Sequence, residues 1–482
     1  MWGQKFLVGL LLVALSAGCS QGGDETLRRS TPSSTDPSDA GGPGTGSTAP
    51  PAASTAPTTP PAATACPQLP PRAKARPDRP VYDLKVDIRP AEGIVNGELS
   101  VRFTPDIATD RLVFRLWPNG PKLARAGSRL ETSQIVVKGK SVETALEQPT
   151  ILVARTGPLA ARRPIDASLT FKLTLPRNTP DRVAFNGDTV RLGSFFPILP
   201  WEPGRGWSTD APTTNFAEAS VAPTADFTVS ITVPEGYQPL ATGLADASGR
   251  WVAKEVRDFA ISVGHFRTET RTIDVGHPVT IIVGVDSSIR DERPDVYVDT
   301  VTKSIQLFSQ RFGAYPWPSY TLAITPDLPG GIEYPMHVMQ GPGTRGGTTS
   351  HEVGHEWFYG LVGNNQGRDP WLDEGLTSYA EYRFTGELAR AMARKLPPSA
   401  KDHVGEPMTY WETRQAIYYA SVYRGGAVAV ASMGSIDQVD CALAHLVAKR
   451  AHAIVTPEEA AQVFESVIPD ARAKLRAFGI KV

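Results

Sequence analysis

His351-Glu352-Val353-Gly354-His355 is an HExxH pattern. On a helix, positions i and i+4 share one face, so two imidazoles at that spacing can close on one metal ion. Glu352 then lies beside the metal and can take a proton from a bound water without being a ligand. Taken alone, the pattern would also suit two histidines on an amphipathic surface helix. A third donor changes the reading, because Glu374 follows nineteen positions after His355 in Trp371-Leu372-Asp373-Glu374-Gly375. Two histidines and one glutamate leave a fourth position open, which is how zinc is held where it does chemistry; a structural site closes with four protein ligands. The expectation is one Zn2+ held by His351, His355 and Glu374.

These residues need elements to carry them. The spacing predicts a helix around His351–Leu361, ended by Gly363-Asn364-Asn365-Gln366-Gly367. A second helix follows over Trp371–Phe384, with Asp369 as candidate N-cap and Pro370 in its first turn. A helix–turn–helix return then sets Glu374 opposite the histidines. Further helices are expected over Pro294–Phe312, with Gly313 past its end, and over Arg414–Met433. Upstream the periodicity is two, as in Leu84, Val86 and Ile88 or Phe227, Val229, Ile231 and Val233. Such alternation predicts a largely antiparallel β region extending to about Phe266, with a short β region (Val279–Val285, Tyr320–Ile324) beyond it. Strands first and helices after read as α+β: an antiparallel β-sandwich-like domain over residues 76–268, then a mainly helical catalytic domain over 269–482.

At this point the chain resembles the aminopeptidase N family of gluzin metallopeptidases, which includes the leukotriene-hydrolase branch. The likeness rests on His351 through Gly360, on Trp371 through Gly375, and on two flanking segments. Gly330-Gly331-Ile332-Glu333-Tyr334 is similar to the family's Gly-x-Met-Glu-Asn, with Ile332 and Tyr334 replacing Met and Asn. Tyr423-Arg424-Gly425-Gly426 is similar to the segment that carries the family's catalytic tyrosine. The resemblance implies a thermolysin-like catalytic domain, peptide substrates, Glu352 as general base and Tyr423 as donor to the oxyanion. For Tyr423 a core aromatic, in an i, i+4 stripe with Tyr419, is the alternative. The resemblance also implies that Glu333 binds the substrate's free amino group, while Gly330 and Gly331 let its backbone approach closely; a glutamate on an exposed strand edge is the alternative for Glu333. The altered neighbours of Glu333 weaken strict aminopeptidase action, and the chain reaches only Val482, short of the family's large C-terminal helical domain. A zinc endopeptidase or another hydrolase on the same scaffold, and a non-catalytic surface binding protein, are the competing readings.

The N-terminal residues carry an address. Lys5 precedes an apolar run from Phe6 to Ala17, too short for a bilayer span, ending in Leu15-Ser16-Ala17-Gly18-Cys19. Small residues before a cysteine resemble a bacterial lipobox, so residues 1–18 are expected to be cleaved and Cys19 lipidated. The protein is then extracytoplasmic and lipid-anchored to a membrane. Residues 19–75 are expected to form a tether, since Thr31 to Ala65 holds almost only Ala, Gly, Pro, Ser and Thr. In an oxidising compartment Cys66 and Cys441 could pair; the alternative is a free Cys66 and a buried Cys441 acting as a small hydrophobe. With 41% hydrophobic residues and a net charge of -1, the chain suits a globular enzyme and offers no global field for nucleic acid.

Overall fold

The computed structural model describes residues 66–214 and 221–482; Cys19 and most of the expected tether lie outside them. The compact unit begins at Pro67, ahead of the boundary expected at residue 76. Ala73 already donates its N–H to the carbonyl of Ala448, at 2.8 Å.

The alternating sequence forms an eight-stranded sheet in which Val81–Arg89, Ile94–Phe103 and Ile165–Thr174 are consecutive neighbours. Leu84 pairs with Leu99, and Leu99 with Leu169, so one face of three strands is apolar in register. The pairing is antiparallel except where Val81–Arg89 meets Ala225–Thr232 in parallel. A four-stranded and a three-stranded sheet complete the β half and share its buried apolar core. The change of sheet falls between Gly264, last residue of the strand Ile261–Gly264, and Phe266, first residue of Phe266–Asp274.

A five-stranded mixed sheet opens the second half. Its strands are ordered Phe266–Asp274, Pro278–Asp286, Ser319–Ile324, His337–Gln340 and Gly331–Ile332. The helix Pro294–Phe312 links two of these strands, with Pro294 in its first turn and Gly313 at φ 103° just past its end. It buries Val298, Val301, Ile305 and Phe308, the face its periodicity defines. Strands then give way to helices, which makes the fold α+β. Among the described residues no single helix is long and apolar enough to cross a membrane. Cys66 and Cys441 are each disulfide-bonded.

Two boundaries near the motif differ from the sequence expectation. The motif helix runs Gly347–Gly354 and is capped at His355, so it stops short of Leu361. Beyond it the N–H groups of Gly360, Leu361 and Val362 reach back five residues, to His355, Glu356 and Trp357. Arg257, buried in the β half, pins the segment that follows: its guanidinium donates to the carbonyls of Tyr359, Leu361, Ala222 and Ala453. The following helix, Trp371–Thr385, starts on Pro370 as its N-cap residue. The Asp369 side chain does not cap it; the carbonyl of Asp369 takes the Leu372 N–H instead.

Candidate active site

The two helices meet so that the donor atoms of His351, His355 and Glu374 all lie within 4.8 Å of one another. His351 Nε2 is 3.1 Å and His355 Nε2 3.5 Å from Glu374 Oε2. The three residues are 8%, 2% and 2% exposed, so the donors converge in a largely dry pocket. The opposite nitrogens are held from behind: His351 Nδ1 is 3.1 Å from Glu381 Oε2, and His355 Nδ1 is 2.7 Å from Asp373 Oδ1. A ring whose Nδ1–H is taken by a carboxylate presents the Nε2 lone pair, which is the arrangement a zinc-ligating histidine needs. The residues present therefore fit a zinc ion.

The electrostatics agree. Burial alone would lower the His351 imidazole, but its hydrogen bonds to Glu374 and Glu381 outweigh that and raise it to about 9. His355 is likewise driven up against burial by Asp373, Glu333 and Glu374. Glu374 is pulled well below the carboxylate range: burial opposes this, and the two imidazoles overcome it. The pocket calls for positive charge at the point where the donors meet.

Glu352 lies on the same helix, 4% exposed. A Cβ placed on Gly331 would stand 2.2 Å from its Oε1 and 2.4 Å from its Cγ. The space left by that missing Cβ is thus filled by Glu352 itself. Gly330 has no such neighbour, with nothing within 4 Å of its would-be Cβ.

Tyr423 comes from the helix Gln415–Ala431. Its hydroxyl donates to Glu374 Oε1 at 2.7 Å, and its ring stacks on His351 with centroids 5.6 Å apart. Two features bring it there. The segment Tyr419–Gly425 is a π-helical insertion, the kind of local widening that re-aims a side chain. The helix also crosses Trp371–Thr385 at a glycine pair, where a Cβ on Gly426 would sit 2.7 Å from the Cα of Gly375. Only glycine at both places allows so close a crossing.

Glu333 is 7% exposed, not on an open strand edge, and its carboxylate groups with His355 and Asp373. It accepts a hydrogen bond from Gln366 Nε2 at 3.3 Å. Glu356, from the motif segment, accepts the N–H of Met336 and so fixes the strand connection after Glu333. Burial raises the Glu356 carboxyl to about 8.

The structure thus gathers His351, His355, Glu374, Glu352, Tyr423, Glu333 and Gly331 at one site. The sequence reading missed Glu381, Asp373 and Gln366. Glu381 had a signal, since it falls seven positions after Glu374 and therefore on the same helical face. Asp373 had only its adjacency, and Gln366 none.

A histidine pair and glutamate on two crossing helices, backed by carboxylates, with a glutamate and a tyrosine beside them, are the donor set and flanking groups of a catalytic zinc site. Residues 345–422 match the Peptidase family M1 domain. Leukotriene A-4 hydrolase of Xenopus laevis is 34% identical over 104 residues, 20% of this chain and 17% of that protein. Aminopeptidase B of Homo sapiens is 31% identical over 111 residues, 21% of this chain and 17% of that protein. The chain thus spans about a sixth of the length of these two relatives. The solved M1 zinc metallopeptidase from Deinococcus radiodurans superposes over 84% of this chain and 95% of its own, with a TM-score of 0.61 at 19% identity. That likeness speaks for the fold. The family likeness thus rests on residues 345–422, the segment that carries the metal-binding motif, and the wider likeness is one of fold.

Proposed function

We propose that the protein is a zinc-dependent aminopeptidase that removes N-terminal residues from peptides, with one zinc ion per site. The observation that carries this reading is Glu333, a buried carboxylate grouped with the metal ligand His355. A carboxylate there serves a substrate ammonium, which fixes the first peptide bond over the metal. When bound, zinc supplies the Lewis acidity that polarises a carbonyl and acidifies water. Glu352 accepts the proton of the attacking water on its carboxylate and delivers it to the departing amide nitrogen. Tyr423, whose hydroxyl already points at Glu374, donates to the carbonyl oxygen as negative charge builds on it.

The test is hydrolysis of paired free-amino and N-acetylated peptides, with and without a chelator. The Glu333 contact is charge-assisted, so Glu333→Ala is expected to lower kcat/KM for free-amino peptides by roughly 10- to 150-fold. Equal wild-type cleavage of both peptide sets would move the reading to an endopeptidase on the same scaffold.

We further propose, from the Leu15–Cys19 pattern, that the protein is extracytoplasmic and held to a bacterial membrane by a lipidated Cys19. Cys19→Ser is expected to leave the membrane fraction with peptidase activity intact. Retention of that variant on membranes would rule the anchor out.

A further inference from the structure

The loop between the two metal-binding helices carries three consecutive amides, Asn364, Asn365 and Gln366. Two of them turn away from the centre. Asn364 donates to the carbonyl of Asp369, and Asn365 to Glu202 in the β half. Gln366, 2% exposed, turns inward. Its Nε2 donates to Asp373 Oδ2 at 2.6 Å and to Glu333 Oε1 at 3.3 Å. Asp373 presents its other oxygen to His355 Nδ1 at 2.7 Å. Glu333, Gln366, Asp373 and His355 therefore form one connected line from the amine-binding carboxylate to a metal ligand.

We propose that Gln366 is a positioning residue that orients Glu333 for the substrate's free amino group while holding Asp373 against His355. The proposal rests on the aminopeptidase reading and deepens it. Charge is the reason an amide suits the place. A lysine or arginine there would pair with Glu333 and neutralise the charge the ammonium needs. A carboxylate would face two others across hydrogen-bond distance. An apolar side chain would leave two buried carboxylate oxygens without this donor. The glutamine amide donates to both carboxylates and adds no charge. One NH2 group bonded to two carboxylates also couples them, so displacing either one disturbs the other.

The experiment is a double-mutant cycle between Gln366→Met, which keeps length and removes the donor, and Glu333→Ala. Gln366→Met is expected to raise KM for free-amino peptides by about 5- to 30-fold while kcat changes by less than about threefold, because the lost interaction is mainly with bound substrate. Residual cleavage of N-acetylated peptides is expected to fall no further than kcat does, by less than about threefold, because those peptides make no ammonium contact. In the Glu333→Ala background the same substitution is expected to add less than about twofold, because the two residues act on one contact. Zinc affinity, read by chelator competition without substrate, is expected to weaken by about 3- to 10-fold, less than for loss of a direct outer-shell partner. Gln366→Asn, which keeps a neutral amide and shortens its reach, is the second variant, should Gln366→Met fail to fold, and the same cycle applies. Additive effects of Gln366 and Glu333, or an unchanged KM in a folded, zinc-loaded variant, would overturn the proposal. A wild type indifferent to amino blocking would overturn the aminopeptidase reading and this proposal with it. A wild type that demands a free amine, with an additive cycle, would overturn the proposal alone.

Discussion

Adding one methyl group at Gly331 tests whether Glu352 is held by shape. Its would-be Cβ stands 2.2 Å from Glu352 Oε1, 2.3 Å from Cδ and 2.4 Å from Cγ, where ordinary contact begins at 3.4 Å. Turning the carboxylate cannot relieve a clash that includes Cγ, so the outer side chain must move by about 1 Å. The backbone of Gly331 has little freedom to yield instead. It is in register with Gln340, and the neighbouring Gly330 carbonyl accepts the Gly341 N–H at 2.8 Å. Displacing a catalytic group by about 1 Å can cost on the order of 10²-fold, or about 2.7 kcal/mol of barrier. Gly331→Ala is therefore expected to lower kcat about 10²-fold while retaining zinc, since the three ligands come from other segments. Gly331 is not among the positive-φ residues, so alanine adds no backbone strain that would confuse the result. Gly330→Ala is the comparison: nothing of the protein lies within 4 Å of the new methyl, so kcat is expected to change by less than about twofold and any loss to fall on KM, where the substrate backbone would pass. The assay is kcat on a free-amino peptide with zinc content and melting temperature measured in parallel. Wild-type turnover by Gly331→Ala, or equal damage from Gly330→Ala, would refute the reasoning.

His351→Ala, His355→Ala and Glu374→Ala are each expected to lose most bound zinc, measured by metal analysis after dialysis, since a three-ligand site tolerates deletion poorly. Glu352→Gln is expected to keep zinc and lose turnover by about 10²- to 10⁴-fold; loss of the metal would instead make Glu352 a ligand. Tyr423→Phe is expected to lower kcat by about 10²-fold for every accepted peptide with little change in KM, because its hydroxyl acts on the transition state. Asp258, whose carboxyl burial pushes up to about 7, provides a pH test away from the metal. A raised acid holds its proton more tightly when folded, so its stabilisation is present at low pH and lost as pH rises from the unfolded value of about 3.9 towards 7. The melting temperature of Asp258→Asn relative to wild type is therefore expected to rise between pH 5 and pH 8, and a constant difference would refute it.

What the sequence showed of this site is what periodicity and spacing encode. HExxH puts two rings on one helical face whatever surrounds it, and Trp371 through Gly375 marks the turn where Glu374 returns. Pro294–Phe312 was legible at both ends because its proline and its following glycine act locally. The end of the motif helix was not. The five-residue bonds that follow Gly354, and the carbonyls of Tyr359 and Leu361 that Arg257 pins from 102 and 104 positions earlier, are tertiary features no local preference foretells. The parallel partnership of Val81–Arg89 with Ala225–Thr232 was hidden for the same reason: alternation defines which face is buried, not which strand lies beside it. Gln366 is the limiting case, an amide in a polar loop whose importance depends wholly on two carboxylates brought to it by other segments.

Four carboxylates, Glu333, Glu352, Asp373 and Glu374, lie at this centre, each less than 10% exposed, with His351 and His355 among them. Buried anions so close together are sustained only by opposite charge or by oriented donors. The surrounding carboxylates push both imidazoles up, so the centre favours positive charge where the donors meet. A divalent cation at the same point supplies two charges at once and leaves both rings neutral and ligating. The four acids then have distinct partners. Glu374 turns to the metal position, and Asp373 braces the back of His355. Tyr423 and Gln366 donate to Glu374, Asp373 and Glu333 as neutral groups, so they orient carboxylates without cancelling their charge. On the reading proposed above, Glu352 takes the proton of the attacking water and Glu333 the ammonium of the peptide.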